Sequence, residues 1–333
     1  MAVRSDVQVI INILRPTPKT GLGRPLIIGE AAAASDFKVY YDLDAVLADF
    51  ANTTQIYKAA YAMFNQGDNS PESIAVMQYK TGDPIADFLP KIFSKDWYYL
   101  ISTSRTLADV TAIADAVDLD DSRLFFTASS SKTDLATIKS KKYNNTTAFY
   151  HTDTSNYPDA GLVGAVGSKD VGSVTWKNQT IKGIEPLDIT TTELMAIHDL
   201  GAITYVTKAG DDVTSEGKTV SGEYIDIIQS KHWLIMNIEL GVQKLFNRAD
   251  KVPFDNRGIS QIEAVVKTNL LRADQQGMIA HDDNGLPLYS TTFKTRSQVD
   301  PADREQRVYN GGKFEFELAG AIHGSKIIGY ISL

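Results

Sequence analysis

Between residues 25 and 153 short apolar runs alternate with amphipathic ones, and no other feature narrows the fold as far. "PLIIGE", "SIAVMQYK", "WYYLIST", "RLFFTAS" and "NTTAFYHTD" have the length and composition of strands. "DLDAVLADFANTTQIYKAAYAMFNQ", "PIADFLPKIF", "TLADVTAIADAV" and "KTDLATIKSKK" lie between them and read as helices. In the first helix Leu43, Val46, Leu47 and Phe50, then Ile56, Ala59, Ala60 and Met63, recur at helical spacing. Short apolar strands alternating with helices predict a largely parallel sheet covered by helices.

From residue 157 the character changes. "YPDAGLVGAVGSKDVGSVTW" is rich in small residues, with Gly161, Gly164 and Gly167 every third position, a spacing that suits close helix packing. Residues 203–222 read as a hairpin around a polar loop. Two long helices follow, over 223–248 and 259–276, separated by "KVPFDNRG" with Pro253 and Gly258 as punctuation. A strand is expected over 286–293, and "DPADREQR" offers Asp300 as a cap with Pro301 in the first turn. The fold expected is α/β in its first half and α+β overall. Its parts are an N-terminal strand arm and linker over 1–24, an α/β domain over 25–155, an α+β domain with the two long helices over 156–312, and a C-terminal β-hairpin or arm over 313–333.

Both ends carry strand signals. In "VRSDVQVIINIL" Val7, Val9, Ile11 and Ile13 share a face, and "RPTPKTGLGR" follows as a stiff, then loose, leash. At the other end Lys313 to Leu318 alternates polar and apolar, placing Phe314, Phe316 and Leu318 on a core-like face. After Gly324 a second run offers Ile327, Ile328, Tyr330, Ile331 and Leu333, and it stops at the last residue. Such strands either complete the domain's own sheet or add to a sheet in a neighbouring copy.

The net charge of −8 argues against a general nucleic-acid binder. The absence of cysteine excludes disulfides, thiolate metal sites and cysteine nucleophiles, and makes cytosolic synthesis the easier reading. The N-terminal apolar stretch is interrupted by Gln8 and Asn12 and is not expected to act as a signal peptide. "WLIMNIELGV" is broken by Asn237 and Glu239 and falls well short of a membrane span.

Catalytic arrangements are scarce. "GDDVTSEGKT" ends like a phosphate-binding loop, but Asp212 stands where the first glycine belongs and a strand, not a helix, follows. The five histidines are scattered, and His151 and His281 each stand beside aspartates without metal-ligand spacing. Asp115, Asp118, Asp120 and Asp121 read as a solvated helix end. No cofactor, metal or catalytic residue is expected, and the chain reads as a non-enzyme. The alternative left open is an α/β-class enzyme with a loop-built site at strand ends.

Several stretches together resemble the contractile tail sheath proteins of bacteriophages and related injection machines. They are "RPLIIGE" with "YYDLDAVLADFANTTQIYKAAYAMFNQ", "GLVGAVGSKDVGSVTWKNQTIKGIEP", "GEYIDIIQSKHWLIMNIELGVQKLF" with "KVPFDNRGISQIEAVVKTNLL", and "DPADREQRVYNGGKFEFELAGAIHGSKIIGYISL". The resemblance implies a subunit that polymerises with itself, as a helical array of hexameric rings around an inner tail tube protein; another tail component, such as a tube or baseplate protein, is the alternative within the same particle. Contraction by subunit rearrangement then drives the tube through a bacterial envelope, for host genome ejection in the phage case. It implies baseplate and tail-terminator partners, no direct nucleic acid and no membrane insertion, and a place in the virion tail after assembly in the host cytoplasm. It favours the arm reading, with Val7, Val9, Ile11, Ile13, Ile327, Ile328, Tyr330, Ile331 and Leu333 at subunit interfaces through β-augmentation. Residues 231–280 hold seven Lys or Arg and five Asp or Glu, a local +2 in a chain of −8. Lys244, Arg248, Lys251 and Lys267 are therefore the expected tube-facing residues.

Overall fold

A computed structural model describes residues 22–323. The chain divides into two units, Met1–Asp250 and Lys251–Leu333.

The first unit is built on a seven-stranded sheet. In chain order its elements begin with β1 (Pro25–Ala31), β2 (Ser35–Tyr40), α1 (Leu43–Asp49), α2 (Gln55–Phe64), β3 (Ile74–Lys80), α3 (Ile85–Phe93), β4 (Tyr99–Ser102) and α4 (Leu107–Asp120). They continue with β5 (Leu124–Ser129), α5 (Lys132–Lys141), β6 (Thr146–Tyr150), α6 (Pro158–Val166), α7 (Thr191–Asp199) and β7 (Ala202–Ile203). The strand order is β2-β3-β1-β4-β5-β6-β7. Every pairing is parallel except that of β2 with β3, so the alternation in the sequence gives the sheet it predicts.

Leu26, Ile28, Leu100 and Phe125 point to one face, where Phe88, Val110, Ile113, Leu135 and Ile138 cover them. Alternate residues point the other way. There Phe126 stacks on Trp176 with ring centroids 4.9 Å apart. Helix starts are set by short polar side chains: Thr54, Thr106, Ser131 and Thr190 each accept the N–H three residues on. Thr54 also explains a departure. The pattern over 42–66 reads as one helix, but the Thr54 cap starts α2 afresh after α1 has ended at Asp49.

The break expected at 155/156 is not where the units divide. All of α6 is buried, and Gly164 lets it lie against α2, since a Cβ there would sit 2.5 Å from the Met63 carbonyl oxygen. β7 then joins the sheet beside β6, so residues well past 155 complete the first unit. The expected hairpin is β8 (Tyr205–Lys208) with β9 (Asp211–Thr214), turning through Ala209 and Gly210 at positive φ. The long α8 (Ile225–Arg248) follows.

The second unit contains α9 (Asn256–Gln275), β10 (Tyr289–Phe293), α10 (Pro301–Glu305) and β11 (Gly312–Phe316). Asp255 caps α9 by accepting the Gly258 N–H at 3.0 Å. Position 258 has no room for a side chain, because a Cβ would lie 1.9 Å from the Pro253 carbonyl oxygen. Asp300 caps α10 with Pro301 in its first turn. The boundary expected at 312/313 falls inside β11, whose partner is β10.

Candidate assembly interface

The two strands β10 and β11 form a sheet by themselves. Their antiparallel register runs from Tyr289 opposite Phe316 to Phe293 opposite Gly312. Among the described residues no strand lies along either outer edge. Alternation sorts the side chains. Tyr289, Thr291, Phe293, Phe314 and Phe316 are half-buried, while Ser290, Thr292, Lys313 and Glu315 are exposed. Thr291 donates its hydroxyl to Glu263 of α9 at 3.0 Å, which places the half-buried face toward that helix. Phe314 and Phe316 stack with centroids 6.4 Å apart, and Phe293 stacks on Tyr309 at 6.2 Å. Leu318, expected in the core with Phe314 and Phe316, is exposed, because the ladder ends and it makes only an isolated bridge to Ile279. The sheet packs its half-buried face on α9, and its two bare edges offer rows of backbone groups to an added strand.

The arm residues Val7, Val9, Ile11, Ile13, Ile327, Ile328, Tyr330, Ile331 and Leu333 lie outside the described residues. The four expected tube-facing cations are all exposed. Lys244 and Arg248 stand one turn apart near the end of α8. Lys267 instead pairs with Glu263 of its own helix at 2.7 Å.

α8 has a fixed, buried base and a distal half that is only partly covered. Gln229 accepts from Trp176 Nε1 at 2.6 Å and donates to the Tyr99 hydroxyl at 2.7 Å. His232 Nδ1 is bonded to the Tyr98 hydroxyl at 2.8 Å. Lys231 donates to Asp121 at 2.7 Å, and His232 with these hydrogen bonds holds that carboxyl well below its usual range. Beyond Leu234 no residue of α8 is buried, although Ile235, Ile238, Val242, Leu245 and Phe246 all fall there.

The usual ligand position of a parallel α/β sheet is the crevice at the carboxyl ends of the strands where their order reverses. Here that is between β1 and β4, and it is filled from within. A Cβ on Gly29 would lie 2.6 Å from Thr103 Oγ1 and 3.0 Å from Ile56 Cδ1. Beside it Arg105 makes a bidentate pair with the fully buried Asp159, at 2.6 and 2.9 Å, and stacks over Tyr157 at 4.8 Å. Burial pushes the Tyr157 phenol up to about 12, and its hydroxyl donates to Gln55 at 3.0 Å. These charges satisfy one another and clamp α6 to the sheet. His151 and His281 join no metal-ligand cluster: His151 Nδ1 meets the backbone of Asp153, which donates its N–H at 3.1 Å, Nε2 lies 2.9 Å from the Glu185 carbonyl, and His281 pairs with Asp274. Among the described residues no group of three potential ligands comes together, and no helix is long and apolar enough to cross a membrane.

No protein-family model and no curated protein matches the sequence. Solved structures share the fold, which is that of contractile sheath proteins. A chain from the anti-feeding prophage helical sheath in its contracted state is similar over 99% of each chain, with a TM-score of 0.69 and 14% identity. A chain of the anti-feeding prophage baseplate gives 0.69 at 13% identity over 100% of this chain and 98% of that one. The contracted sheath complex of PVC, an extracellular contractile injection system, gives 0.67 at 14% identity with the same coverage.

Proposed function

We propose that the chain is a structural subunit of a contractile sheath and has no catalytic role. What carries the reading is a fold shared end to end with sheath proteins, rather than over one module. In this reading subunits form stacked hexameric rings in a helical array around an inner tube, between a baseplate and a tail terminator. Contraction rearranges stiff subunits and drives the tube through a bacterial envelope. The particle is the tail of a phage virion or a phage-like injection machine, assembled in the host cytoplasm.

The bare edges of β10 and β11 support strand exchange. An N-terminal strand bearing Val7, Val9, Ile11 and Ile13 and a C-terminal strand bearing Ile327, Ile328, Tyr330, Ile331 and Leu333 would extend that sheet in neighbouring copies. Each aliphatic side chain buried in this way is worth about 1.5–3 kcal/mol. Main-chain ladders of this kind hold subunits together while their tilt changes. Lys244, Arg248 and Lys251 are the groups proposed to meet the tube. Lys267 joins them only if its pair with Glu263 opens.

Electron microscopy of purified protein tests the reading: hollow helical polymers are expected, and a small monodisperse oligomer would contradict it. Removing residues 1–14, cutting after Gly324, or Ile328→Pro should each leave a folded subunit that no longer polymerises. Long polymers from the protein cut after Gly324 would eliminate a linking role for the C-terminal strand.

A further inference from the structure

Along α2 the first unit carries an open groove of about 320 Å³. Tyr57, Lys58 and Tyr61 form one wall, and Asn156, Lys182 and Gly183 contribute to the other. The walls are tied together. The buried Gln66 amide donates to the carbonyls of Ala62 and Lys182 at 2.8 and 3.1 Å, and its oxygen accepts the Lys182 N–H at 2.9 Å. Asp153 holds Ser155 and Asn156 in place by accepting the Ser155 N–H and hydroxyl and the Asn156 amide. That carboxylate is held below the usual range mainly by these bonds in its own turn, with a smaller pull from the nearby Lys58. Neither Lys58 nor Lys182 forms an ion pair among the described residues. Tyr61 is 47% exposed beside them. The groove is thus preformed, cationic and lined by aromatic and amide groups.

A complementary surface exists on the same unit. Glu30 at the end of β1, Asp36 on β2, Asp83 in the turn before α3 and Asp87 in its first turn are all exposed. None forms an ion pair among the described residues. The register brings them to one corner of the sheet, with Glu30 opposite Tyr79, Ser35 opposite Gln78, and the Thr81 N–H on the Ala31 carbonyl. The more conspicuous acidic run is engaged internally: Asp115 accepts from Tyr143, Asp118 from two backbone N–H groups, and Asp120 and Asp121 pair with Arg123 and Lys231.

We propose that the groove of one copy receives the acidic corner of a second copy. The second copy's presence rests on the sheath reading above. A contact between two different patches propagates into rings or an open helix. In a chain of net charge −8 identical copies repel unless a cationic surface is set against an acidic one, and such a contact fixes orientation.

Charge reversal tests this contact. Lys58→Glu with Lys182→Glu should raise the concentration needed for polymerisation at low salt at least tenfold, read by sedimentation, with an unchanged melting temperature. Glu30→Lys with Asp83→Lys should do the same. All four changes in one chain restore the complementarity with signs exchanged and should restore polymer. Reversal variants that polymerise normally while the wild type does too overturn the contact alone, as does a loss that the fourfold variant fails to rescue. Wild-type protein that never polymerises overturns both the sheath reading and this contact.

Discussion

Trp97, Trp176, Tyr98, Tyr99, Phe125, Phe126 and Phe149 are buried in the unit that ends at Asp250. In the unit that begins at Lys251, Phe254, Tyr289, Phe293, Tyr309, Phe314 and Phe316 are all only half-buried. The first unit covers both faces of a seven-stranded sheet with its own helices and the Trp176 segment. The second has a two-stranded sheet with one face on α9 and both edges open among the described residues. The contrast separates two jobs. One unit is a body built on its own core; the other leaves its aromatic side chains half-buried and both edges of its sheet open, which is where the proposed strand exchange would act.

The largest effect should come from the body. Phe126→Ala removes a ring stacked on Trp176 and should cost about 3–5 kcal/mol, seen as a large fall in melting temperature of the unpolymerised subunit. A fall no larger than that of an exposed-site control would dissolve the distinction between the units. Asp159→Asn should follow closely, at about 3–5 kcal/mol, because it leaves the Arg105 guanidinium without its buried counter-charge. The double change Arg105→Met with Asp159→Leu should be clearly more stable than Asp159→Asn, and equal instability would show that packing, not charge, holds α6 in place.

Phe314→Ala belongs to the other side of the comparison. Half-burial limits its cost to under about 1.5 kcal/mol in the free subunit. On the strand exchange proposed above, polymerisation should nevertheless be lost, because the ring belongs to the sheet that a neighbour's strand would extend. Intact polymer would move the interface elsewhere.

The smallest effect is a slope with pH. Burial holds His198 below the usual histidine range of 6.5, with Nε2 2.9 Å from Ser215 Oγ. The unfolded chain then binds a proton more readily than the fold does, so the body should lose stability as pH falls through and below 6.5. Melting temperatures between pH 7 and 5 should fall less steeply in His198→Gln, and identical slopes would exclude His198 as the source.

Much of the body was legible in the sequence because its signals are local. Parallel strands buried on both faces are short apolar runs, and their helices repeat at 3.6 residues. The Thr54 restart was hidden inside a continuous apolar period, and β7, only two residues long, carries no periodicity. The polar clamps were invisible for a different reason. Arg105 and Asp159 are 54 residues apart and Tyr98 and His232 134 apart, and no spacing rule joins such pairs. The edge residues of β10 and β11 showed their alternation, but whether a strand has a second neighbour is set by tertiary structure. The sequence shows the charge of Lys267, but its pair with Glu263 depends on the side-chain geometry of the folded helix.

Amide hydrogen exchange on free subunits and on polymer tests the division of labour most directly. The account predicts that β1, β4 and β5 are strongly protected in both, while amides of β10 and β11 exchange quickly in the free subunit and become protected only on polymerisation. Equal protection of β10 and β11 in both states would contradict it, since the second unit would then be complete without its neighbours.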